Sequence, residues 1–319
     1  MTELNWLQRY AADEVVEHAA EGRMSRREMM THLAAICGTP ALAAAFLASC
    51  SSSSPGTAAG STVATAPGTT TTGGGAGSMA AVAGGAALSV RADDPSVRHE
   101  AATFPGPAGP LFGEVARPAA DGKRPGVLVI HEIFGLTDHI RDVTRRVAKA
   151  GYLAVAVDLA SRAGGSDKAA NVSGALTQGP VADRVADLDG GLAFLERQAD
   201  YDGKLGVVGF CFGGGMTLSY AAAQPKVLAA VPYYGPTPQP PSVMMATNAA
   251  ILAQYGANDA RVNAGIAALE AAMAGKTFEK RIYDGAGHAF NNDTGTGYVE
   301  AAAVPAWQAT LAWFARYLV

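Results

Sequence analysis

From Arg91 onward, short continuous apolar runs alternate with stretches that carry apolar residues at helical spacing. Short apolar runs are typical of buried strands, whereas apolar positions three or four residues apart are typical of helices packed on one face. The pattern predicts strands near 126–130, 152–158, 205–210, 227–234, 251–255 and 278–283, and helices near 140–150, 181–198, 260–273 and 304–318. This alternation predicts an α/β fold with a mostly parallel sheet flanked by helices on both faces.

The first 90 residues follow a different pattern. No Asp, Glu, Lys or Arg occurs between Met29 and Val90, and residues 50–90 consist mostly of Ser, Thr, Gly, Ala and Pro. Such a composition buries too little apolar surface to offset chain entropy, so residues 50–90 are predicted to be a flexible linker. The folded domain is therefore predicted to span 91–319, which is long enough for a full hydrophobic core.

Residues 1–49 are typical of an export signal. Arg26 and Arg27 precede an apolar stretch, 33–48, that is too short for a comfortable membrane span. The arginine pair resembles a twin-arginine signal. The sequence from Leu47 to Cys50 resembles a bacterial lipobox, whose cysteine becomes lipidated after cleavage. An amphipathic or core helix with a chance arginine pair is the alternative. We expect an exported protein of the cell envelope, periplasmic or extracellular, held at the membrane only by a lipid on Cys50.

Charge and cysteine content narrow the function further. The formal net charge is −4 and no basic run occurs, so nothing indicates nucleic acid or an anionic membrane surface as a partner. The three cysteines are Cys37, Cys50 and Cys211, and the first two fall in the predicted signal and at its end. A disulfide framework is therefore not expected, and Cys211 is predicted to be a lone thiol. The protein is predicted to be a monomer.

The sequence Gly209-Phe-Cys-Phe-Gly213 follows a predicted strand and precedes an apolar, helix-like stretch. This is the G-x-S-x-G pattern of a nucleophile elbow with Cys211 in place of serine. The glycines are expected because such a turn is tight and leaves no room for a Cβ atom. A buried structural cysteine in a glycine-rich turn is the alternative interpretation.

Asp259 and His288 are the candidate partners of Cys211. Each follows a predicted strand, and reactive groups of a parallel sheet lie at the carboxyl ends of its strands. The chain order nucleophile, acid, histidine is that of α/β-hydrolase triads. Asp259 would orient the imidazole, and His288 would move protons. The alternatives are a helix N-cap for Asp259, a solvent-facing loop position for His288, and Asp284 as a rival acid.

Five ordered motifs, over about residues 100–318, together resemble the dienelactone hydrolase family. They are I-H-E-I-F-G-L at 130–136, Asp158-Leu159, G-F-C-F-G-G at 209–214, Gly256 to Asp259, and G-A-G-H-A-F at 285–290. The resemblance implies an α/β-hydrolase fold. It also implies hydrolysis of a small-molecule ester or lactone through an acyl-thioester, with no metal and no organic cofactor.

The resemblance assigns further roles. The backbone N–H groups of Ile133 and Phe212 would form the oxyanion hole, and Glu132 would lie against the Cys211 thiol and help control its ionisation. The alternative for Glu132 is an exposed loop carboxylate. Arg162 matches the position that binds the substrate carboxylate, although an arginine at a loop tip is commonly just solvated. Where dienelactone-cleaving members carry a second arginine, this chain has Asn292, so a bidentate clamp would be weaker or absent.

Two other functions remain open at the level of sequence. One is a lipid-anchored binding protein built on a catalytically inactive hydrolase fold, with Cys211 inert. The other makes Cys211 a redox or metal thiol alongside His131 and His288. The lack of a second cysteine in the predicted domain counts against this last interpretation.

Overall fold

The computed structural model describes residues 4–51 and 88–318 of the chain. Most of the predicted linker, residues 52–87, lies outside the described residues, and its assignment as a linker stays a prediction. The predicted domain and the predicted export signal both fall largely within the described ranges.

An eight-stranded sheet lies at the centre of the described residues. The strands are β1 (Val97–Gly106), β2 (Gly109–Pro118), β3 (Arg124–Ile130), β4 (Leu153–Val157), β5 (Tyr201–Phe210), β6 (Val227–Tyr233), β7 (Ala250–Gly256) and β8 (Phe278–Tyr283). Their spatial order is β1, β2, β4, β3, β5, β6, β7, β8. Strands β1, β2 and β4 pair antiparallel, and all pairs from β4 to β8 are parallel. The predicted mostly parallel sheet is confirmed, whereas the β1–β2 hairpin was not predicted.

Helices cover both faces of this sheet. Those of the domain are α4 (Asp138–Lys149), α5 (Val172–Thr177), α6 (Val181–Leu195), α7 (Phe212–Ala223), α8 (Ala260–Asn263), α9 (Ile266–Ala272) and α10 (Glu300–Leu318). Short 3-10 helices span Ser161–Ala163 and Pro241–Ala246. A Cβ atom added at Gly191 of α6 would meet Leu128, whereas one added at Gly206 of β5 would meet Val127 and Phe314 of α10. Because successive side chains of a strand point to opposite faces, α6 and α10 lie on opposite sides of β3.

The single helix predicted for 260–273 is wrong, because the chain forms α8 and α9 with a break at Gly265. Thr237 packs against this break. Its hydroxyl donates to the carbonyl oxygen of Gly265 at 2.9 Å, and a Cβ atom at Gly265 would lie 2.6 Å from the same hydroxyl. The same carbonyl oxygen also accepts the backbone N–H of Leu269 at 3.1 Å, so Thr237 adds a second donor where α9 begins, and the sequence pattern carries no sign of this long-range contact.

Residues before the linker fold into three helices, α1 (Trp6–Ala20), α2 (Arg26–Cys37) and α3 (Pro40–Ser51). A capping box opens each of the first two helices, through Asn5 and Gln8 in α1 and through Ser25 and Glu28 in α2. The segment predicted to be an export signal is therefore a folded part of the described structure. Its assignment as a signal stays a prediction.

The first two helices pack against each other and against α5. The Gln8 side chain donates to the carbonyl oxygen of Ile36 at 3.1 Å, His32 Nδ1 lies 2.7 Å from the Ser173 hydroxyl, and Gln178 donates to the carbonyl oxygen of Ala35 at 3.0 Å. Within the described ranges, no single helix is long and apolar enough to cross a membrane. Helices α2 and α3 together would be, but they are bent by 106° relative to each other.

A buried cluster of charges joins α4 to the loop that follows β8. Arg146 is 2% exposed. It forms an ion pair with Asp142 one turn earlier in α4 and donates to Asp293 Oδ2 at 2.6 Å. Asp293 also contacts His139 Nδ1 at 3.2 Å. Because His288 lies in this same loop, five residues before Asp293, the cluster helps to fix the backbone that carries the candidate histidine.

We expect Arg146→Met to lower the free energy of unfolding by about 3 kcal/mol, because the buried Asp142 and the partly buried Asp293 would both lose a cation, while Arg145 still lies 3.6 Å from Asp142. Urea denaturation measures this change. Arg91→Met is the matched control, since Arg91 and its partner Asp93 are both largely exposed and such pairs contribute at most about 1 kcal/mol. Equal losses in the two variants would contradict the structural role given to Arg146.

Candidate active site

Cys211 lies in the turn between the end of β5 and the start of α7. Its φ and ψ angles are 57° and −120°, a conformation that costs free energy for any residue with a side chain. The backbone N–H of Cys211 donates to the carbonyl oxygen of Tyr233 at 3.0 Å, which ties the turn to β6. The predicted elbow geometry is therefore present, with the strained residue at the candidate nucleophile.

Glycines permit this turn because the backbone passes very close on both sides. A Cβ atom at Gly209 would lie 2.2 Å from the carbonyl oxygen of Gly213, and one at Gly213 would lie 2.3 Å from the carbonyl oxygen of Ile130. Neither backbone oxygen can move far without disturbing β5, α7 or β3. The two glycines of the motif thus allow α7 to start directly against the carboxyl end of β3.

His288 and Asp259 meet at the carboxyl ends of β7 and β8. The Nδ1 atom of His288 lies 2.5 Å from Asp259 Oδ2, and both side chains are almost completely buried. The other oxygen of Asp259 accepts the backbone N–H of Val262 at 3.1 Å, so Asp259 is also the N-cap of α8. The carboxylate on the imidazole is therefore that of Asp259, and the rival acid Asp284 is an exposed residue of the loop after β8.

Glycines also bring the acid-bearing and histidine-bearing loops together. A Cβ atom at Gly256 would lie 2.5 Å from the carbonyl oxygen of Gly287. The backbone N–H of Asn258 donates to the carbonyl oxygen of Ala286 at 2.8 Å. Ala289, directly after the histidine, has a φ angle of 58°. The loop conformation that presents His288 is thus specified by backbone contacts, which explains the small residues of both motifs.

The structure brings Cys211 and His288 together. Cys211 Sγ and a ring nitrogen of His288 lie within 4.8 Å of each other, and a carboxylate oxygen of Glu14 lies within the same distance of both. Phe212 is the first residue of α7, so its backbone N–H belongs to the unpaired donors of a helix start. Ile133 is buried in the loop that follows β3, three residues after the strand ends. The residues predicted for the triad and the oxyanion hole thus belong to neighbouring strand ends.

Glu132 and His131 have separate roles in the loop after β3. Glu132 lines the cavity beside Cys211, and its carboxylate accepts the side-chain N–H of Asn292 at 2.9 Å. His131 is completely buried. Its Nε2 accepts the backbone N–H of Leu159 at 3.0 Å, and its Nδ1 then donates to the carbonyl oxygen of Glu132 at 2.7 Å. Both nitrogens of His131 are engaged, so this histidine is structural and does not form a metal site with Cys211.

Arg162 is not part of the cavity beside Cys211. Its guanidinium donates to both carboxylate oxygens of Asp187 in α6, at 2.8 and 3.0 Å, and it also lies 3.7 Å from Asp183. A bidentate pair of this kind is among the stronger charge-assisted contacts in proteins. Binding a substrate carboxylate with Arg162 would require breaking or sharing this pair, so its assignment stays a prediction.

Helix α1 supplies two residues that the sequence interpretation missed. The Tyr10 hydroxyl lies 3.4 Å from Cys211 Sγ, and Glu14 Oε1 lies 3.3 Å from His288 Nε2. Glu14 is completely buried and also contacts His18 Nε2 at 3.1 Å. Tyr10 precedes Cys211 by 201 residues. The capping box at the start of α1 marks a stable helix, but nothing in the local pattern indicates where that helix docks.

These contacts change the ionisation of the site. Burial raises the pKa of the Cys211 thiol, and the charge of Glu14 raises it further. Burial alone would lower the pKa of His288, but the charge of Glu14 and the hydrogen bond to Asp259 raise it well above its usual value. Burial would raise the pKa of Glu14, yet His288, His18 and Arg261 hold it well below its ordinary value. With α1 in place, a protonated thiol and an imidazolium are favoured.

Glu14, Cys211 and His288 are also a group whose donor atoms could hold a metal ion. Sulfur, nitrogen and carboxylate oxygen are ligands that suit zinc. A metal bound there would engage both the nucleophile and the base of the candidate triad. It would therefore compete with hydrolysis rather than assist it.

The free space beside Cys211 is small. The cavity measures about 80 Å³, and its lining residues are Glu14, His18, Arg23, Glu132, Phe134, Cys211, Ala289, Asn292, Gly295 and Gly297. A cavity of about 720 Å³ lies elsewhere, along β1 and β2, and is lined mainly by charged residues such as Arg98, Arg117 and Asp200. The larger cavity contains no nucleophile, so the chemistry of the described residues remains at Cys211.

Known proteins match most of the domain that contains this site. Residues 111–318 match the family model described as "Dienelactone hydrolase family". A Salmonella typhimurium protein named "Putative carboxymethylenebutenolidase" is 36% identical over 250 residues, which cover 73% of this chain and 92% of that protein. An Escherichia coli protein of the same name is 37% identical over 219 residues, covering 63% of this chain and 81% of that protein.

Solved structures agree with the fold as well. The crystal structure of a "Putative Dienelactone Hydrolase" from Klebsiella pneumoniae is 35% identical, with a TM-score of 0.65, and the match covers 69% of this chain and 99% of that one. The α/β-hydrolase fold that the motifs implied is confirmed. The matching part of the family model begins at residue 111, so helices α1 to α3 lie outside it.

We expect Gly213→Ala to lower the free energy of unfolding by about 3 kcal/mol or more, because the added methyl group would collide with the backbone of β3. Gly287→Ala is the control, since a Cβ atom there meets nothing within 4 Å, and its expected change is about 0.5 kcal/mol or less. Urea denaturation of both variants checks this. A Gly213→Ala variant as stable as the control would show that the elbow can relax.

Proposed function

We propose that this chain, which belongs to the dienelactone hydrolase family, hydrolyses ester or lactone bonds with Cys211, His288 and Asp259 as a catalytic triad. Its relatives are named as carboxymethylenebutenolidases and dienelactone hydrolases, which are hydrolases. The observation that carries the proposal is the position of Cys211 on a strained elbow beside a buried imidazole whose other nitrogen is held by a carboxylate.

The proposed reaction begins with proton transfer from the Cys211 thiol to Nε2 of His288. The thiolate attacks the carbonyl carbon of the ester. The developing oxyanion accepts hydrogen bonds from the backbone N–H groups of Ile133 and Phe212. When the C–O bond breaks, the imidazolium returns the proton to the leaving oxygen and an acyl-thioester remains on Cys211. Asp259 stabilises the imidazolium and keeps its ring oriented throughout.

Water completes the cycle. His288 removes a proton from a water molecule, whose oxygen attacks the thioester carbonyl, and the thiolate leaves with the proton that His288 holds. In a lactone the leaving oxygen stays within the same molecule, so the product is a hydroxy acid. A thiolate leaves readily from the intermediate, which suits activated esters and strained lactones better than amides.

The surroundings of the triad favour substrates without a carboxylate. Arg162 is paired with Asp187, and Asn292 is bound to Glu132. Neither residue supplies a free cation beside Cys211. Arg23 also lines this cavity, but it is paired with Glu21 in the segment before the linker, whereas Glu132 places a carboxylate there. An anionic lactone would therefore meet repulsion that a neutral one does not. We propose that the natural substrate is an uncharged ester or lactone.

The test measures kcat/KM for an uncharged aryl ester and an uncharged lactone. Cys211→Ala should abolish turnover, and Asp259→Asn should lower kcat on the order of 10²- to 10⁴-fold because the imidazole loses the group that orients and stabilises it. Asp284→Asn is the matched control, since this rival acid is exposed in the loop between β8 and His288, and it should change kcat/KM by about twofold or less.

The same experiment separates the alternatives. Full turnover in Cys211→Ala would exclude the proposed nucleophile. An Asp284→Asn variant as impaired as Asp259→Asn would mean that both carboxylates serve His288. A properly folded chain that binds esters without cleaving them, with or without Cys211, would support the binding protein that the sequence left open.

We also propose that residues 1–49 direct export and that Cys50 carries a lipid anchor. Support comes from the sequence, where the arginine pair precedes an apolar segment and Leu47 to Cys50 resembles a lipobox. Arg26 and Arg27 begin α2 and are exposed, so they are accessible to a receptor. Under this proposal the protein is an envelope hydrolase that touches the membrane only through its lipid.

Exchanging both Arg26 and Arg27 for Lys should block export, because a twin-arginine receptor distinguishes the planar guanidinium from an ammonium group. Cys50→Ala should move the protein from the membrane fraction to the soluble exported fraction, and Cys37→Ala is the control that should leave it at the membrane. Fractionation with an antibody against the domain measures both effects. Unchanged export of the double Lys variant would rule out the twin-arginine route.

A further inference from the structure

We propose that helix α1 is an autoinhibitory plug, which places Tyr10 on the nucleophile and Glu14 on the catalytic imidazole and must leave before a substrate reaches Cys211. The inference rests on the proposed triad and deepens it, because it concerns how access to that triad is regulated. Four features of the described residues support this inference: the contacts of α1 with Cys211 and His288, the small cavity beside Cys211, the ion pairs that hold α1, and the protonation state that Glu14 favours.

The two contacts fall on the two reacting atoms. Tyr10 Oη lies 3.4 Å from the sulfur that would attack, and Glu14 Oε1 lies 3.3 Å from the nitrogen that would accept the thiol proton. A carbonyl carbon must approach the sulfur to about 3–3.5 Å before it can react. The Tyr10 hydroxyl stands at that distance itself, so α1 blocks the nucleophile directly.

The remaining space does not accommodate a substrate. The cavity at Cys211 measures about 80 Å³, whereas small-molecule sites commonly measure about 300–1,000 Å³. The 80 Å³ beside Cys211 corresponds to the liquid volume of roughly three water molecules. Glu14, His18 and Arg23 belong to its lining and lie before the linker, so departure of this segment would remove one wall. Cys211 itself is only 2% exposed.

Arg261 holds α1 at the site. It lies in α8, directly after the acid loop, and forms an ion pair with Glu14 and two hydrogen bonds with Glu17 at 2.9 and 3.1 Å. Its guanidinium also lies over the Tyr10 ring, 4.6 Å from the centroid. Arg261 takes no part in the proposed reaction. Because it contacts both Tyr10 and Glu14, Arg261 holds α1 in the closed position.

Helix α1 also imposes an unreactive protonation state. Glu14 is a buried carboxylate against His288, and it raises the pKa of both His288 and the Cys211 thiol. An imidazolium cannot accept the thiol proton, so the base is occupied before substrate arrives. Departure of Glu14 would remove this charge and free the imidazole in the same movement.

Cleavage before Cys50, proposed above as a step of lipidation, would also disconnect the plug. Helices α1 and α2 and most of α3 would separate covalently from the domain, whereas the domain would keep the complete elbow, acid loop and histidine loop. A single processing event would then anchor the enzyme and open its site. The family match begins at residue 111, so the part of the chain that matches the family does not include the plug.

The test compares full-length variants that release α1 with one that does not. Glu14→Gln removes the buried charge and Arg261→Met removes the residue that holds α1. Glu21→Gln is the matched control, because Glu21 is an exposed carboxylate at the end of α1 whose ion pair with Arg23 involves neither Cys211 nor His288. Turnover of an uncharged aryl ester is measured together with the labelling rate of Cys211 by iodoacetamide and by a bulky fluorescein maleimide. Mass spectrometry assigns the labelled cysteine.

We expect Glu14→Gln and Arg261→Met to raise kcat/KM about tenfold or more, since each 1.4 kcal/mol lost from the closed state raises the open population tenfold. Maleimide labelling of Cys211 should rise more than iodoacetamide labelling, because opening matters most for the larger reagent. Glu21→Gln should stay within about twofold of the native chain. Should Arg261→Met lower the melting temperature of the domain, Tyr10→Phe supplies a milder variant with the same expected direction.

The outcomes separate the plug from the triad. A fall in turnover in both releasing variants, with the domain folded, would overturn the proposal and make α1 a wall of the working site. If Glu14→Gln accelerates labelling of Cys211 equally with both reagents and Arg261→Met has no effect, Glu14 acts only through its local charge. That result would also overturn the proposal. Faster maleimide labelling without ester turnover in any variant would support the plug and contradict the proposed function.

Discussion

The backbone turn at Cys211 is the constraint on which the rest of the site depends. A cysteine at a φ angle of 57° is held there because β5, β6, β3 and α7 all meet at this residue. The close approach of Gly213 to the carbonyl oxygen of Ile130 sets where α7 begins relative to β3. That position in turn places the backbone N–H of Phe212 beside the loop that contains Ile133. The strain is local, whereas the contacts that maintain it involve three of the eight strands.

The second half of the site is positioned by a different set of contacts. Asp259 divides its two oxygens between His288 and the start of α8, so one side chain both orients the imidazole and ends a loop. Arg146 binds Asp293, which follows His288 by five residues in the loop after β8. The histidine is therefore fixed from both directions along the chain, and Nε2 is the nitrogen left for chemistry.

Local patterns predicted most of the fold and the residues of the candidate triad. Strand and helix periodicity located the parallel sheet, and the glycines at 209, 213 and 256, near Cys211 and Asp259, stand where the backbone leaves no space for a side chain. Features that depend on contacts between distant residues were not predictable. Thr237 contacts the break between α8 and α9 from a distant part of the chain, and Arg162 meets Asp187 instead of the cavity. Such outcomes follow from packing, which a single sequence does not display.

The N-terminal segment is the clearest case, because its composition predicted a signal while its structure places α1 on the reacting atoms. The two descriptions are compatible. A buried carboxylate against a catalytic imidazole would be a poor part of a permanent active site, because Glu14 favours the cation of His288 and the protonated thiol of Cys211. The same contact is well suited to a segment that leaves, since the inhibitory charge departs with it. A buried ion pair is also costly to break on one side alone, so Glu14 and Arg261 keep the closed form intact until the whole helix is withdrawn.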